Sequence, residues 1–411
     1  MSLLGIALRN LRQHLVSSLV TCFSIALAAG LVMAVFAIQA QSYAAFTGGA
    51  HGFDAVLGAR GSQLQLVLNT VFHLETSPGN IPWTLYQAIR SDPRVSVAVP
   101  YAVGDNYHGY RIVGTTDELW SATGLKVAPG GRFFDSARNE AVLGSFVAQR
   151  TGLGVGSTIN PYHGVVFNPQ MRHAEEYTVV GVLEPTNSPT DRVIWIPLEG
   201  IYRMSGHVLR GGGEEFSATP GQEIPDEHKE VSAVMLRLKN AQAGFALDQT
   251  INKQGKVATL AWPVGRVMAD LFDRLGWMNR VLTLVAYLVV AVASATILAG
   301  LYNTIEERRR DFAILRALGA PRSTILGLVV LEAASLSLIG TMLGYLVYAA
   351  ILATAAVVVR AQTGVVLEVL AFHPVLWITP LALTALGAVA GLLPALKAYR
   401  TDVAASLTPI S

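Results

Sequence analysis

Long stretches of this chain carry no charge at all, and no other feature constrains its fold as strongly. Residues 15–40, 281–303 and 375–396 contain no Asp, Glu, Lys or Arg, and between Arg322 and Arg360 the only charge is Glu332. A helix that crosses a membrane needs roughly 20 consecutive apolar residues, and these four stretches alone meet that length. Only 14% of the chain is charged, against about 25% in a typical soluble domain. The deficit is uneven, because residues 41–280 hold 20 basic and 22 acidic residues. The expected fold is therefore a membrane α-helical domain of four spans in a one-plus-three layout. A large α+β domain is inserted after the first span.

Basic residues beside the spans set the expected orientation. Arg9 and Arg12, the loop carrying Arg308, Arg309, Arg310, Arg316 and Arg322, and Lys397 with Arg400 lie on one side. Against Glu306, Glu307, Asp311 and Asp402 they leave a net charge of +5 there. That side is read as cytoplasmic, with both termini inside and the 41–280 region outside. Cys22 is the single cysteine, so the outer domain is expected to hold together without disulfides. The run around it is longer than the roughly 7–15 apolar residues of a signal peptide. Leu19-Val20-Thr21-Cys22 is also a poor lipoprotein cleavage box, so the first span is read as a retained anchor.

Within the outer domain, the runs at 111–114, 178–182 and 193–196 are β-branched and bounded by turn residues, and read as strands. Residues 231–238 alternate as a further strand. Helices are expected at 83–90, 140–153 and 241–254. Residues 210–228 are rich in Gly, Glu and Pro and read as a flexible connection. Val267, Leu271, Leu275 and Met278 fall at helical spacing. They predict a stalk helix over 264–280 that continues unbroken into the second span.

Several residues are candidates for specific roles. Gly340 and Gly344, and Gly387 and Gly391, are spaced four apart, a pattern that lets helices approach closely in lipid. They can pack helices within one subunit or form a seam between subunits. Glu332 is an intramembrane carboxylate, and such residues are functional candidates by default; a coupling or structural role is favoured over a proton relay. The apolar segment 54–74, with Leu64, Val67, Leu68 and Val71, can be a core or membrane-surface helix, or the wall of a path for a greasy substrate. His51, His73, His108, His163, His173, His207 and His228 form no HxH or HExxH arrangement. They read as surface or core residues, and no metal ligands are assigned.

The most specific stretch runs from Glu306 to Pro321. Phe312, Leu315 and Leu318 recur every third residue beside Ile314, which gives an amphipathic helix; Gly319 stops it and Pro321 opens the next. Glu306 and Arg310 are placed as an i,i+4 pair. This stretch resembles the signature of the FtsX/MacB-type, mechanotransmission ABC permeases with a MacB-like periplasmic core domain. Leu331-Glu332-Ala333 with Gly340 and Gly344 is similar to that family's third span. Pro394-Ala395-Leu396-Lys397-Ala398 and the closing Thr401 to Leu407 are similar to its ending. Ala141 to Ser157 and Val180 to Pro197 resemble its outer elements. Glu307 stands where the family often has Arg, and the Gly-rich 203–260 region is short.

The resemblance implies a division of the chain. Residues 1–40 form the N-terminal helix and first span, 41–263 the outer domain with a distal subdomain at 203–260, and 264–280 the stalk. The second span (281–303), a cytoplasmic coupling loop (304–322), the third span (323–358), a short outer loop (359–374), the fourth span (375–396) and a tail (397–411) follow. It implies that Glu306, Glu307, Arg309, Arg310, Phe312, Leu315, Arg316, Leu318 and Gly319 dock a cytoplasmic ABC ATPase dimer. The chain has no phosphate-binding loop, since Gly255-Lys256-Val257 lacks the leading glycine and the hydroxyl. ATP and Mg are thus expected on the partner, with no cofactor on this chain and no enzyme activity of its own. A second permease copy, a periplasmic adaptor or lipoprotein, and membrane lipid are the other implied partners; nucleic acid is not. The expected location is the bacterial inner membrane. The expected function is export or extraction of an amphiphile such as a lipoprotein, lipid, peptide or hydrophobic drug. The alternative is an FtsX-like regulator of a cell-wall hydrolase or sensor; an ion-coupled transporter would need more machinery than four spans and one carboxylate.

Overall fold

The computed structural model describes residues 3–48, 52–218, 222–307 and 309–399. The chain divides into two compact units, residues 1–42, 275–357 and 367–411 in one, and 43–274 with 358–366 in the other.

Among the described residues, four helices are long and apolar enough to cross a membrane: Leu15–Thr47, Gly276–Asn303, Arg322–Thr363 and Val375–Leu396, which lie mostly in the first unit. Their outward side chains include Leu19, Val20, Phe23, Leu288, Val292 and Leu346, all exposed. Water would penalise such a surface and lipid does not. A short helix, Leu3–Gln13, precedes the first span; it buries Ala7, Asn10 and Leu11 on one face and exposes Arg9 and Arg12.

The second unit is built on one large mixed sheet. Its strands are β1 (Ala55–Ala59), β2 (Ile81–Pro82), β3 (Val95–Tyr107), β4 (Tyr110–Thr115), β5 (Glu140–Leu143), β6 (Thr158–Ile159), β7 (Tyr162–His163), β8 (Tyr177–Val182), β9 (Val193–Pro197), β10 (Glu230–Val231), β11 (Ala233–Leu238) and β12 (Ala258–Ala261). The sheet order is β12-β1-β11-β3-β4-β9-β5-β8-β6, with β7 also paired to β3; β10 and β2 form a separate pair. The β4–β9 and β5–β8 pairings are parallel and the others antiparallel.

Both faces of this sheet are buried. Leu57, Ala98, Ile112, Ile194 and Leu236 point to one side, where the helices Trp83–Arg90, Ser145–Thr151, Leu198–Arg203 and Ala241–Asp248 supply Tyr86, Val147, Tyr202 and Leu247. Val56, Val99, Val113, Trp195 and Met235 point to the other, where Gln63–Thr70, Glu118–Thr123 and Val264–Arg274 supply Val67, Leu119 and Met268. Strands covered on both faces read as near-continuous apolar runs, as they do in the sequence here.

Several expected elements differ. The stretch 140–153 is a strand, β5, followed by the helix Ser145–Thr151. Gly144 makes the turn because only a residue without a side chain fits there: a Cβ would lie 2.4 Å from the Asp191 carbonyl oxygen. The Asp191 carboxylate closes the opposing loop by accepting from the Thr186 hydroxyl at 2.7 Å and the Asn187 amide at 2.9 Å. The 231–238 strand is interrupted at Ser232, between β10 and β11, and 241–254 ends in a π-helical turn, Gln249–Gln254. The 210–228 connection is folded down in its described part. Leu209 and Phe216 exchange backbone hydrogen bonds of 2.8 and 2.9 Å, and Ile224 is buried.

The expected unbroken stalk is two helices, Val264–Arg274 and Gly276–Glu307, separated at Leu275. Gly276, a poor helix former, opens the second, and the division between the two units falls at the same place.

Gly144→Ala is expected to destabilise the sheet unit by about 1–3 kcal/mol through overpacking. Gly154→Ala meets nothing within 4 Å and should be near neutral. Thermal unfolding of the two full-length variants makes the comparison.

Candidate functional site

The helix Arg309–Ala317 occupies the stretch singled out in the sequence. Its end is a Schellman motif: Gly319 has φ +96°, the Gly319 amide donates to the Arg316 carbonyl at 3.0 Å and the Ala320 amide to Leu315 at 3.1 Å. The left-handed glycine halts this helix so that Arg322–Thr363 can start anew.

The expected outward stripe of Phe312, Leu315 and Leu318 is not what the packing shows. Phe312 is buried, in a cluster with Ala7, Ile305, Ile325, Leu328, Val329 and Ala395. Leu315 is half-buried against the same cluster. Arg310, Ile314 and Leu318 are exposed, Leu318 at 80%, and four-residue steps put them on one face. Phe312 therefore anchors the helix, and any docking face lies on the other side. Three-residue spacing alone cannot tell which side of a short helix faces its own subunit. Arg316 is half-buried. Glu307 Oε2 lies 3.4 Å from His14 Nδ1 in a largely exposed pair, which contributes little. The side chains of Glu306 and Arg309 lie outside the described residues.

The four glycines pack spans against one another within the chain. A Cβ on Gly340 would lie 2.7 Å from the Ile25 Cβ, and one on Gly344 would lie 2.7 Å from the Ala29 Cβ. On the other flank of the third span, a Cβ on Gly387 would collide with the Ser337 side chain. One on Gly391 would lie 2.7 Å from the Ala333 Cβ. Glu332 is buried on the stripe of the third span that carries Ile325, Leu328, Val329 and Leu336.

The 54–74 segment is core. It comprises β1 and the helix Gln63–Thr70, whose Ser62 cap accepts from the Gln65 amide. Val67 is fully buried, and Leu64, Leu68 and Val71 are half-buried against the same cluster. Asn69 and Arg111 pin the following turn by donating to the Glu75 carbonyl at 2.6 and 2.5 Å. These four apolar residues pack against the domain's own core.

The histidines are less scattered in space than in sequence. His163, His173 and His207 converge on the buried Asp105. Burial would raise the Asp105 carboxyl, yet the three imidazoles beside it hold it well below the usual carboxylate range. Their separations of 10 to 44 residues gave no local signal in the sequence.

The MacB-like periplasmic core domain model matches residues 18–253, and the FtsX-like permease C-terminal model matches residues 283–403. The chain belongs to this FtsX/MacB-type family of ABC permeases, whose members work with an ABC ATPase. The lipoprotein-releasing system transmembrane protein LolC of Neisseria meningitidis serogroup B is 22% identical over 224 residues, covering 53% of this chain and 49% of LolC. The chain thus spans about half the length of that curated relative. Among solved structures, the periplasmic region of MacB from Actinobacillus actinomycetemcomitans is 9% identical, covering 57% of this chain and 98% of its own, with a TM-score of 0.35. The extracellular domain of the noncanonic ABC-type transporter YknZ from Gram-positive bacteria is 15% identical, covering 50% and 99%, with a TM-score of 0.30. Both likenesses are remote.

Gly344→Val should cost about 1–3 kcal/mol through overpacking of the first and third spans. Gly327→Val, on the same helix with nothing within 4 Å, should not. Melting temperatures of the detergent-solubilised proteins give the answer.

Proposed function

We propose that this permease converts ATP hydrolysis on a separate ATPase subunit into movement of its sheet domain, and so extracts or exports an amphiphilic client. The observation that carries this reading is the helix Arg309–Ala317, held from beneath by buried Phe312 and presenting Arg310, Ile314 and Leu318 outward. An exposed Ile and Leu beside an Arg make a face suited to a protein groove: apolar anchors supply affinity and the guanidinium fixes orientation. The net charge of +5 on the side of this loop supports placing it in the cytoplasm, with the sheet domain outside. ATP and Mg belong to the partner in this scheme, and a second permease copy completes the membrane unit.

The client class rests on likeness to LolC, a protein of a lipoprotein-releasing system. The apolar 54–74 segment adds little to it, because Val67 is buried and Leu64, Leu68 and Val71 pack against the domain core. A regulator of a cell-wall hydrolase uses the same coupling, and the identity of what the sheet domain binds separates the two.

Ile314→Glu and Leu318→Glu change exposed positions and should leave the fold intact. Losing an interface anchor costs about 2 kcal/mol, so each should weaken co-purification of the ATPase roughly 30-fold. Phe312→Glu, by contrast, should lower folded yield. Undiminished ATPase binding in both exposed variants would exclude this docking face.

A further inference from the structure

Asp105, His163, His173 and His207 come from four separate places in the sheet domain. Asp105 sits on β3 just past a bulge. Val103 pairs with Val113 and Asp105 with Ile112, so Gly104 has no partner on β4. The extra residue resets which face the next side chain takes. His163 lies directly opposite Asp105, in register on β7. His173 follows, its amide donating to the Pro161 carbonyl at 2.9 Å, and the His207 amide donates to Met204 at 3.1 Å.

Three imidazole nitrogens point at a single carboxylate oxygen. His163 Nδ1, His173 Nε2 and His207 Nε2 lie 3.4, 3.2 and 3.3 Å from Asp105 Oδ1, and His163 Nδ1 lies 3.3 Å from His207 Nε2. All four ligand atoms fall within 4.8 Å of one another. Meanwhile Asp105 Oδ2 is buried without a hydrogen-bond partner among the described residues, and Asp105 is fully buried.

Hydrogen bonding alone accounts poorly for this arrangement. A carboxylate spreads about four lone-pair sites over two oxygens, so three donors would not crowd one oxygen and leave the other empty. The protons conflict as well. His173 Nδ1 lies 2.9 Å from the Ser205 carbonyl, which can only accept, so Nδ1 carries the proton. A neutral ring would then turn an Nε2 lone pair toward Oδ1, and only a charged ring could donate to both oxygens. His163 Nδ1 and His207 Nε2 cannot both bear protons while they face each other.

A dipositive ion among the four atoms resolves each conflict. Zinc bonds of about 2.0–2.1 Å to His nitrogen place tetrahedral ligand atoms roughly 3.3–3.4 Å apart; four of the six separations here are 3.2–3.4 Å, and the other two lie within 4.8 Å. We infer that Asp105 Oδ1, His163 Nδ1, His173 Nε2 and His207 Nε2 form a binding site for a divalent transition-metal ion of the zinc class. Three nitrogens exclude calcium and magnesium, which take oxygen ligands. The lack of any thiolate disfavours copper(I).

The scaffold supports this assignment. The Ser205 carbonyl fixes the His173 tautomer, the usual duty of an outer-shell partner. Ser205 is itself held by Glu175, through its amide at 2.9 Å and its hydroxyl at 3.1 Å. Asn106 donates to the Gly164 carbonyl at 2.8 Å and so steadies the turn after His163. His163 and His207 also border a cavity of about 330 Å³, shared with Asn80, Tyr202, Arg210 and Glu230, through which an ion can enter. When filled, the site ties the 160–175 excursion and the 204–210 segment to the central strand.

The test uses full-length protein purified in detergent through a histidine-free tag, stripped with EDTA and titrated with cobalt(II) and then zinc(II). The expected result is one ion per chain, with the visible absorption of four-coordinate cobalt bleached by zinc, and no competition from magnesium. Loss of an outer-shell partner alone costs about 10–100-fold in affinity, so His207→Ala and His163→Ala should each weaken zinc binding about 100-fold or more. His163 is half exposed, so its removal spares the core and that variant should fold. Zinc should raise the melting temperature of the unmutated chain and not of either variant. Less than one zinc per chain, or unchanged affinity in both variants, overturns the assignment. Neither readout involves the ATPase, so failure here leaves the coupling proposal standing.

Discussion

Strand β3 is the piece on which the sheet domain depends. Its 13 residues pair with β11 and then β7 along one edge and with β4 along the other. Ala98 and Ala102 feed one core layer while Val99 and Tyr101 feed the other. Losing register in this strand would misplace two layers at once, since a one-residue slip moves every side chain to the opposite face. The domain uses such a slip once, at Gly104. There it brings the carboxylate of Asp105 beneath three imidazoles.

The membrane helices obey a different rule. Lipid removes the hydrophobic drive for helices to associate, so van der Waals fit carries more of the burden. The third span answers with small residues on two flanks, Gly340 and Gly344 toward the first span and Ala333 and Ser337 toward the fourth. The same spacing could have served a seam between subunits, but here it is used inside the chain. A further copy would have to meet the bulkier outward residues.

The spans were legible because absence of charge over 20 residues has one physical explanation. The strands β4, β8 and β9 were legible because burial on both faces leaves unmixed β-branched runs. β3 escaped notice: Pro100, Gly104 and Asp105 break its apolar pattern, and only partners far along the chain make it a strand. The turn at Gly144 was lost for a similar reason, since the Asp191 backbone that forbids a side chain there is remote in sequence. Phe312 shows the limit of periodicity, which finds a stripe without saying what covers it. The His–Asp cluster lay beyond reach because its four members are joined only by strand order and one bulge.

The sheet also ends in a particular way. Its outermost members, β12 and β6, have four and two residues, while the longest strand lies well inside. Unpaired backbone amides at a sheet margin invite other chains to add on. A domain with no disulfide to hold it shut gains from margins too short to template that addition. Margins this short leave little for a neighbouring molecule to capture, and the sheet is closed to such addition by the length of its edges rather than by a covalent tie.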